Sequence, residues 1–400
     1  MRDLCIIGAG ASGLTAAITA ARRGKKVTLI ERNEKCGKKL LITGNGKCNY
    51  FNIDQDISHY SSNNLDKIKE IINKDNLNKV LTFFDSLGIE PKIKNGYYYP
   101  TSESSITIQN ALIYEAKRLN IEIINGLKVE KIIKENAFVI NPKTEKIKTK
   151  KIIIASGGMA APKTGSDGSG YDLAKSLNHS IINPKPSLVQ LRGNEPYFKK
   201  WNGIRADAEI SIYENEIFIK KERGTLQLTD YGISGIVSFN LSRYISRKIK
   251  ENKIKVMINF IPWINENPSE YIKKKRQLSL PISVTLERIL NYKLVNVILK
   301  KSQIKTDSFD KISDKDLSKL IRTLTQFELI ITDTNSFDKA QTTIGGIPLD
   351  EINLKTMESL KTKDLYLTGE IIDIDGDCGG YNLTIAWITG LLAGENIWLD

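Results

Sequence analysis

The sequence predicts an α/β fold: a parallel-sheet domain, discontinuous along the chain, with an antiparallel, barrel-like β domain and a small helical domain inserted into it. Three observations support this. Residues 4–7, 27–30, 151–155 and 365–368 are short, nearly uninterrupted apolar runs, as strands covered on both faces require. Residues 188–261 change to short alternating stretches, the pattern of antiparallel strands with one wet face. Residues 268–327 are rich in Lys, Leu and Ile at helical spacing. The expected boundaries are 1–187 with 343–400 for the parallel-sheet domain, 188–262 with 328–342 for the β insertion, and 263–327 for the helical part.

The elements follow in order. Residues 4–7 read as a strand, 12–23 as an Ala-rich helix ending at Gly24, and 27–30 as the next strand, together a βαβ unit of about 30 residues. Residues 64–87 read as one helix that stops at Gly88, 105–119 as another, and 121–124 as a strand. Short antiparallel strands are expected at 129–133, 137–140 and 146–150, the last two joined by an Asn141-Pro142 turn. The run 151–155 leads into Ser156-Gly157-Gly158. Beyond Pro184 and Pro186, the stretches 208–213, 216–220 and 225–228 read as separate strands. Strands return at 330–332 and 339–343, residues 365–368 form a last buried strand, and residues 381–399 form a terminal helix.

Four hundred residues exceed the roughly 250–300 that one hydrophobic core spans, so more than one domain is expected. The chain carries 59 Lys and Arg against 46 Asp and Glu, a net charge of +13. Its lysines are spread in mixed runs such as 143–151 and 248–255, without a stacking-aromatic RNA motif, a zinc finger or a basic arm. The charge therefore reads as a diffuse field that attracts anionic ligands, and no nucleic-acid partner is expected. Cys5, Cys36, Cys48 and Cys378 form no Cys-x-x-Cys pair. Two histidines, His59 and His179, leave little for a zinc site or a His-based triad, so no metal is expected. Scattered thiols, the lack of a signal pattern and the lack of an apolar run of ~18 residues lead to the expectation of a cytoplasmic protein without a membrane partner. Oligomeric state leaves no mark in the sequence.

Gly8-Ala9-Gly10-Ala11-Ser12-Gly13 fits the pattern G-x-G-x-x-G, a string that also occurs in Gly-rich turns with no ligand. Here it follows a strand and opens a helix, the context of a Rossmann-like dinucleotide site. Gly8 allows the tight turn, Gly10 lets a pyrophosphate approach the backbone, and Gly13 lets the helix pack close to the strand. The free N–H groups at Ala11 and Ser12 and the positive end of the helix dipole would then face the phosphates. Glu31, 18 residues beyond Gly13, ends the second strand, where a carboxylate can accept hydrogen bonds from ribose hydroxyls. It would repel a 2′-phosphate, which favours FAD or NAD over NADP.

The stretch Gly37-Lys38-Lys39-Leu40-Leu41-Ile42-Thr43-Gly44-Asn45-Gly46-Lys47-Cys48-Asn49 resembles a pattern of the BaiN-like flavoproteins, also called the YhiN-like or aminoacetone-oxidase-like group, with Lys47 where Arg is usual. The resemblance continues through Ala155-Ser156-Gly157-Gly158, Leu228-Thr229-Asp230-Tyr231-Gly232-Ile233-Ser234-Gly235, Thr343-Ile344-Gly345-Gly346, Thr356-Met357-Glu358-Ser359 and the run 365–394. It implies the three-part fold above and FAD as cofactor. The residues it implies around FAD are the fingerprint, Glu31, Arg32, Lys39, Leu40, Thr43, Gly44, Asn45, Gly46, Cys48, Asn49 and Val129. Ala155, Ser156, Gly157, Gly369, Glu370, Gly379, Gly380, Tyr381 and Asn382 complete the set. Glu370 would bring a carboxylate to the ribityl chain. Gly379-Gly380-Tyr381-Asn382 would place a helix N-terminus beside the flavin pyrimidine edge, where it stabilises the negative charge of reduced flavin by up to ~2 kcal/mol.

Two departures, one thiol of the first motif and one aromatic cluster bear on the chemistry. Asp230 stands where the family often has His, so Asp230, Tyr231 or a water would move any proton that the His moves. Cys378 stands where Thr is usual, and Cys48 belongs to the first motif. Either thiol could touch the flavin chemistry, but with no resolving partner a packing role is expected for both. Tyr97-Tyr98-Tyr99-Pro100 reads first as local core packing, and second as the wall of an apolar pocket. The second Gly-rich run, 165–170, lacks Rossmann spacing, so no dedicated NAD(P)H domain is visible; NAD(P)H would visit only transiently.

The expected function is hydride transfer between flavin N5 and a small organic substrate. Members of the family have been linked to bile-acid enone reduction and to amine oxidation. An O2-using flavin oxidase is the alternative within enzymes. A flavin-carrying RNA-binding or tRNA-associated protein is the alternative outside that class.

Overall fold

The computed structural model describes residues 1–141, 143–144 and 146–397. Pro142 of the expected turn and residues 398–399 of the expected terminal helix lie outside them. The chain forms two compact units, Met1–Pro186 with Ala340–Asp400, and Ser187–Lys339.

In the first unit, Glu122–Ile124, Val27–Ile30, Arg2–Ile7, Ile147–Ile154 and Leu365–Leu367 lie side by side as parallel strands, in that spatial order. Leu4, Cys5, Ile6, Ile152, Ile153 and Ile154 are fully buried, because helices cover both faces of such a sheet. The strand order reverses between Arg2–Ile7 and Ile147–Ile154. Crevices that take ligands in open α/β sheets lie at such a reversal, beyond the carboxyl ends of the strands.

Two expectations are corrected here. Residues 146–150 and 151–155 are one strand, Ile147–Ile154, whose first half pairs with the hairpin Ile132–Lys134 and Phe138–Ile140. The helix expected over 64–87 is two helices, Leu65–Ile71 and Lys74–Ser86. Asn73 breaks it, since its side chain accepts from the Asn76 N–H and caps the second helix.

The terminal helix Tyr381–Asn396 packs on the first helix, Ala11–Arg22, backbone against backbone. A Cβ at Gly390 would lie 2.6 Å from the Ser12 carbonyl oxygen, and one at Gly394 would lie 2.7 Å from that of Ala16. Two glycines one turn apart thus bring the C-terminal helix against the helix that opens the chain.

The second unit is built on seven antiparallel strands, in the order Phe327–Ile331, Ile254–Asn259, Arg205–Glu214, Ile217–Leu228, Gly232–Ser234, Leu191–Arg192 and Asp333–Thr334. The first and last of these are neighbours in the chain, separated only by Thr332, so the sheet curls into a barrel. The stretches 216–220 and 225–228 are a single strand, Ile217–Leu228, held by continuous pairing to Arg205–Glu214. Asn215 and Glu216 turn the hairpin with φ of 49° and 69°, as a two-residue connection of this twist requires. Helices between Pro268 and Thr325 share one hydrophobic core with the sheet, for example Leu294, Ile298 and Leu320 with Phe260 and Phe327. Among the described residues, no helix is long and apolar enough to cross a membrane.

Candidate functional site

Four parallel strands of the first unit deliver expected cofactor residues to one end of the sheet. Gly8 follows Arg2–Ile7, Glu31 follows Val27–Ile30, Ala155 follows Ile147–Ile154, and Gly369-Glu370 follow Leu365–Leu367. All lie at carboxyl ends of adjacent strands around the reversal.

The fingerprint turn is closed by contact. A Cβ at Gly8 would lie 2.5 Å from the Ala155 carbonyl oxygen, and one at Gly13 would lie 1.9 Å from that of Gly8. Gly10 faces open space, with nothing within 4 Å of a Cβ there, over the N-terminus of the Ala11–Arg22 helix. Glu31 is buried; one carboxylate oxygen accepts from the Ala9 N–H at 2.9 Å, and the other accepts from the Asn33 N–H and side-chain amide. The oxygen that accepts from Ala9 keeps a lone pair free for a further donor. Val129 is buried, and two residues before it the Leu127 N–H donates to the Glu31 carbonyl.

Ser156 Oγ, Glu370 Oε1 and Asn49 Oδ1 are among the buried oxygens without a hydrogen-bond partner. Leaving one such atom unpaired costs about 1–3 kcal/mol, so each is open to a donor from a bound molecule. A polyhydroxylated, pyrophosphate-bearing group such as FAD fits this set. The second Glu370 oxygen pairs with Lys39 Nζ at 2.6 Å. Around Thr43, whose hydroxyl donates to the Leu40 carbonyl, the backbone turns left-handed at Gly44, Asn45, Gly46 and Cys48, and this brings Asn49 next to Gly380. Burial pushes the Cys48 thiol up to about 12, so it packs as a thiol and carries no thiolate.

The N-terminus of the terminal helix holds a cluster that the sequence did not announce. His59 Nδ1 and Asp377 Oδ2 are 3.0 Å apart, Nε2 and Asp54 Oδ2 3.1 Å, and the imidazole stacks on Tyr381. Burial works to lower the His59 pKa, but Asp377 and Asp54 outweigh it and raise it above the ordinary value. Asn52 donates to the Gly379 carbonyl at 3.0 Å and to the Tyr381 hydroxyl. Asn382 is turned inward: its side chain accepts from the Gly376 N–H and donates to the Gly376 carbonyl, stapling the preceding loop. Cys378 lies beside Gln341, its Sγ 3.9 Å from Oε1.

The second Gly-rich run also joins the site. Arg32 forms an ion pair with Asp167, Asn33 donates to the Thr164 carbonyl, and Ser166 Oγ donates to the Gly158 carbonyl. Thr343 of the Thr-Ile-Gly-Gly motif accepts from the Met159 and Ala160 N–H groups. Spacing could not reveal these contacts, because they join segments over 130 residues apart for Arg32 and Asn33.

The family described as "HI0933-like protein Rossmann domain" matches residues 2–396. The chain belongs to this family. It is 37% identical, over 99% of its length and 98% of the relative's, to a 3-dehydro-bile acid delta(4,6)-reductase of Clostridium scindens. It is 28% identical, over 96% of its length and 95% of the relative's, to a ribosomal RNA dihydrouridine synthase of Haemophilus influenzae. A flavocytochrome c3 fumarate reductase structure shares the fold, with a TM-score of 0.51 at 14% identity over 99% of this chain and 78% of that one. This HI0933-like protein is an FAD-dependent oxidoreductase.

Asp230 and Tyr231 belong to the second unit, on the turn between Ile217–Leu228 and Gly232–Ser234. Asp230 is exposed, and Arg192 lies over the Tyr231 ring at 5.2 Å. Among the described residues no group of His, Cys, Asp and Glu could hold a metal ion.

Proposed function

We propose that this protein is an FAD-dependent reductase that saturates a carbon–carbon double bond conjugated to a carbonyl in a small organic molecule, with NAD(P)H as transient reductant. The observation that carries the reading is the unpartnered buried oxygens of Ser156, Glu370 and Asn49, taken with 37% identity to a delta(4,6)-reductase over 99% of the chain. The two relatives named above act, by their names, on a 3-dehydro-bile acid and on RNA uridine. A steroid 4,6-dien-3-one and the uracil C5=C6–C4=O share the same reducible group, so one chemistry accounts for both.

Bound FAD would supply the hydride at N5. The protein's own residues bind and orient. Gly8, Gly10 and the helix start at Ala11 and Ser12 would receive the pyrophosphate, and Glu31 the ribose hydroxyls. Glu370, held by Lys39, and Ser156 would take the ribityl hydroxyls. Gly380, Tyr381 and the helix behind them would place N–H groups and a positive dipole end at the pyrimidine edge.

The test is anaerobic flavin bleaching with NADH and with NADPH, then reoxidation by a steroid dienone, by an amine-derived imine and by air. Reoxidation by the dienone well ahead of the others is expected. Purified protein that stays colourless in FAD overturns the reading, and fast peroxide release would favour an oxidase instead. A second reading, reduction of uridine in RNA, is favoured by one feature. Residues 187–339 carry 27 Lys and Arg against 18 Asp and Glu, +9 of the chain's +13. Salt-resistant binding and turnover of ribosomal RNA would favour that reading over the small molecule.

A further inference from the structure

Backbone and side-chain contacts tie His59 to the start of the terminal helix. Tyr60–Ser61 pair antiparallel with Asp375–Gly376, and the Asp377 N–H donates to the His59 carbonyl at 2.9 Å. Asp377 faces Nδ1 of the imidazole at 3.0 Å, and Asp54 faces Nε2 at 3.1 Å. The ring is stacked on that of Tyr381, with centroids 4.6 Å apart. Tyr381 is the first residue of the helix, and its hydroxyl accepts from Asn52 at 3.1 Å. Beside it the Tyr97 ring lies against Gly379, its Cε1 2.6 Å from where a Cβ would stand.

The charges here do not cancel. With both carboxylates ionised, Asp54, Asp377 and a protonated His59 sum to −1, and the same three groups sum to −2 once the ring is neutral. An imidazolium donates from both nitrogens and satisfies both carboxylates. A neutral ring donates from one and turns a lone pair toward the other carboxylate. The Asp377 side chain is 9% exposed against 62% for Asp54, so the inner pair is the less screened. Asp56, exposed on the same turn, also attracts the imidazolium, and Tyr60 packs edge-on against Tyr381. Burial works to lower the His59 pKa, and Asp377 and Asp54 outweigh it.

We propose that His59 is a positioning residue for the flavin: through the helix start at Tyr381 it sets the charge that the pyrimidine edge meets, and one proton on its ring is coupled to flavin reduction. The proposal rests on the reading above only in placing the pyrimidine edge at Gly380 and Tyr381, and it does not depend on the substrate. Reduction puts two electrons on the flavin and leaves negative charge at that edge. This charge favours the imidazolium, so reduction draws a proton from solvent onto His59. By linkage, the protonated ring favours reduced over oxidised flavin by the same factor. About three- to tenfold is expected of a screened charge acting past one side chain.

The chain has two histidines, so the imidazole resonances of the FAD-loaded protein can be followed singly, with His59→Gln assigning them. NMR titrations compare the oxidised and the dithionite-reduced protein. The proton affinity of His59 should rise about three- to tenfold on reduction. His179, closed between Glu351 and Ser359, should not move. Flavin midpoint potentials from about pH 5 to 9 give a second readout. The His59→Gln protein should lie below the wild type at low pH by about 15–30 mV, that same factor for two electrons, and meet it at high pH. His59→Lys, charged throughout this range, should hold the wild type's low-pH advantage to the top of it. A His59 titration that is identical in both redox states overturns the inference. So does a His59→Gln potential that coincides with the wild type throughout, or one displaced equally at every pH, the mark of a purely structural role. Protein that shows the linkage but reduces no enone keeps the inference and loses the reductase reading.

Discussion

At the end of the crevice assigned to the pyrophosphate, every contact comes from one βαβ unit and the strand beside it: Gly8, Gly10, Gly13, Glu31 and Ala155. At the end assigned to the flavin ring, the partners come from residues 39, 49–59, 97 and 370–382, joined by Lys39–Glu370, His59–Asp377 and Asn52–Gly379. The first end works by the absence of side chains, which opens backbone N–H groups to an anion. The second works by side chains that hold one another across long loops. A motif can record the first kind of site, because what matters there is local. The second kind exists only once the chain has folded.

Substitutions that strike one end and spare the other test this contrast. Gly13→Val should have the largest effect, since its Cβ would stand 1.9 Å from a backbone oxygen. A loss of about 3 kcal/mol in urea unfolding and near-complete loss of co-purified FAD are expected. Wild-type FAD content in that variant would break the pyrophosphate assignment. Glu370→Gln strikes the flavin end. The variant should keep the fold but weaken FAD about ten- to a hundredfold in a fluorescence titration, the value of a charge-assisted hydrogen bond of about 1.5–3 kcal/mol.

His59→Gln is a smaller and pH-dependent probe of the same end. Because Asp377 and Asp54 raise the folded-state pKa above its unfolded value, the stabilisation is complete below the unfolded value and is lost as pH rises through the folded one. Thermal midpoints of variant and wild type should therefore differ most near pH 6 and converge as the pH is raised toward 9. The gap should stay under about 1 kcal/mol, because the imidazole is partly exposed and screened. A gap that widens with pH would contradict the ion-pair account. Cys378→Ser should do least, leaving flavin absorbance and FAD content unchanged, since a hydroxyl can meet Gln341 as the thiol does.

Much of this was legible in advance where periodicity and spacing report local physics. The buried runs at 4–7, 27–30 and 365–368 are strands because apolar side chains on both faces leave a parallel sheet as their only dry partner. The polar stretch Lys221-Glu222-Arg223-Gly224 lay between two expected strands, but those residues stay in the ladder because one face of the strand is wet. The Asn73 break inside an apolar helical pattern was missed for the opposite reason: a single side-chain cap outweighed the period. Tyr97, Tyr98 and Tyr99 looked like one cluster, although alternation along a strand sends Tyr98 to the opposite face from the other two.

By itself, the sequence determined the fold class, because strand and helix periodicity are local, and it marked the Gly8–Gly13 turn and the carboxylate at Glu31, which lie within about thirty positions of one another. Only the tertiary structure decided the end proposed for the flavin ring. The pairing of His59 with Asp377 and the seating of Tyr97 on Gly379 join segments some 300 residues apart. Chain separation carries no information about distance until strand order and the helix contact at Gly390 and Gly394 have brought the two ends of the chain together.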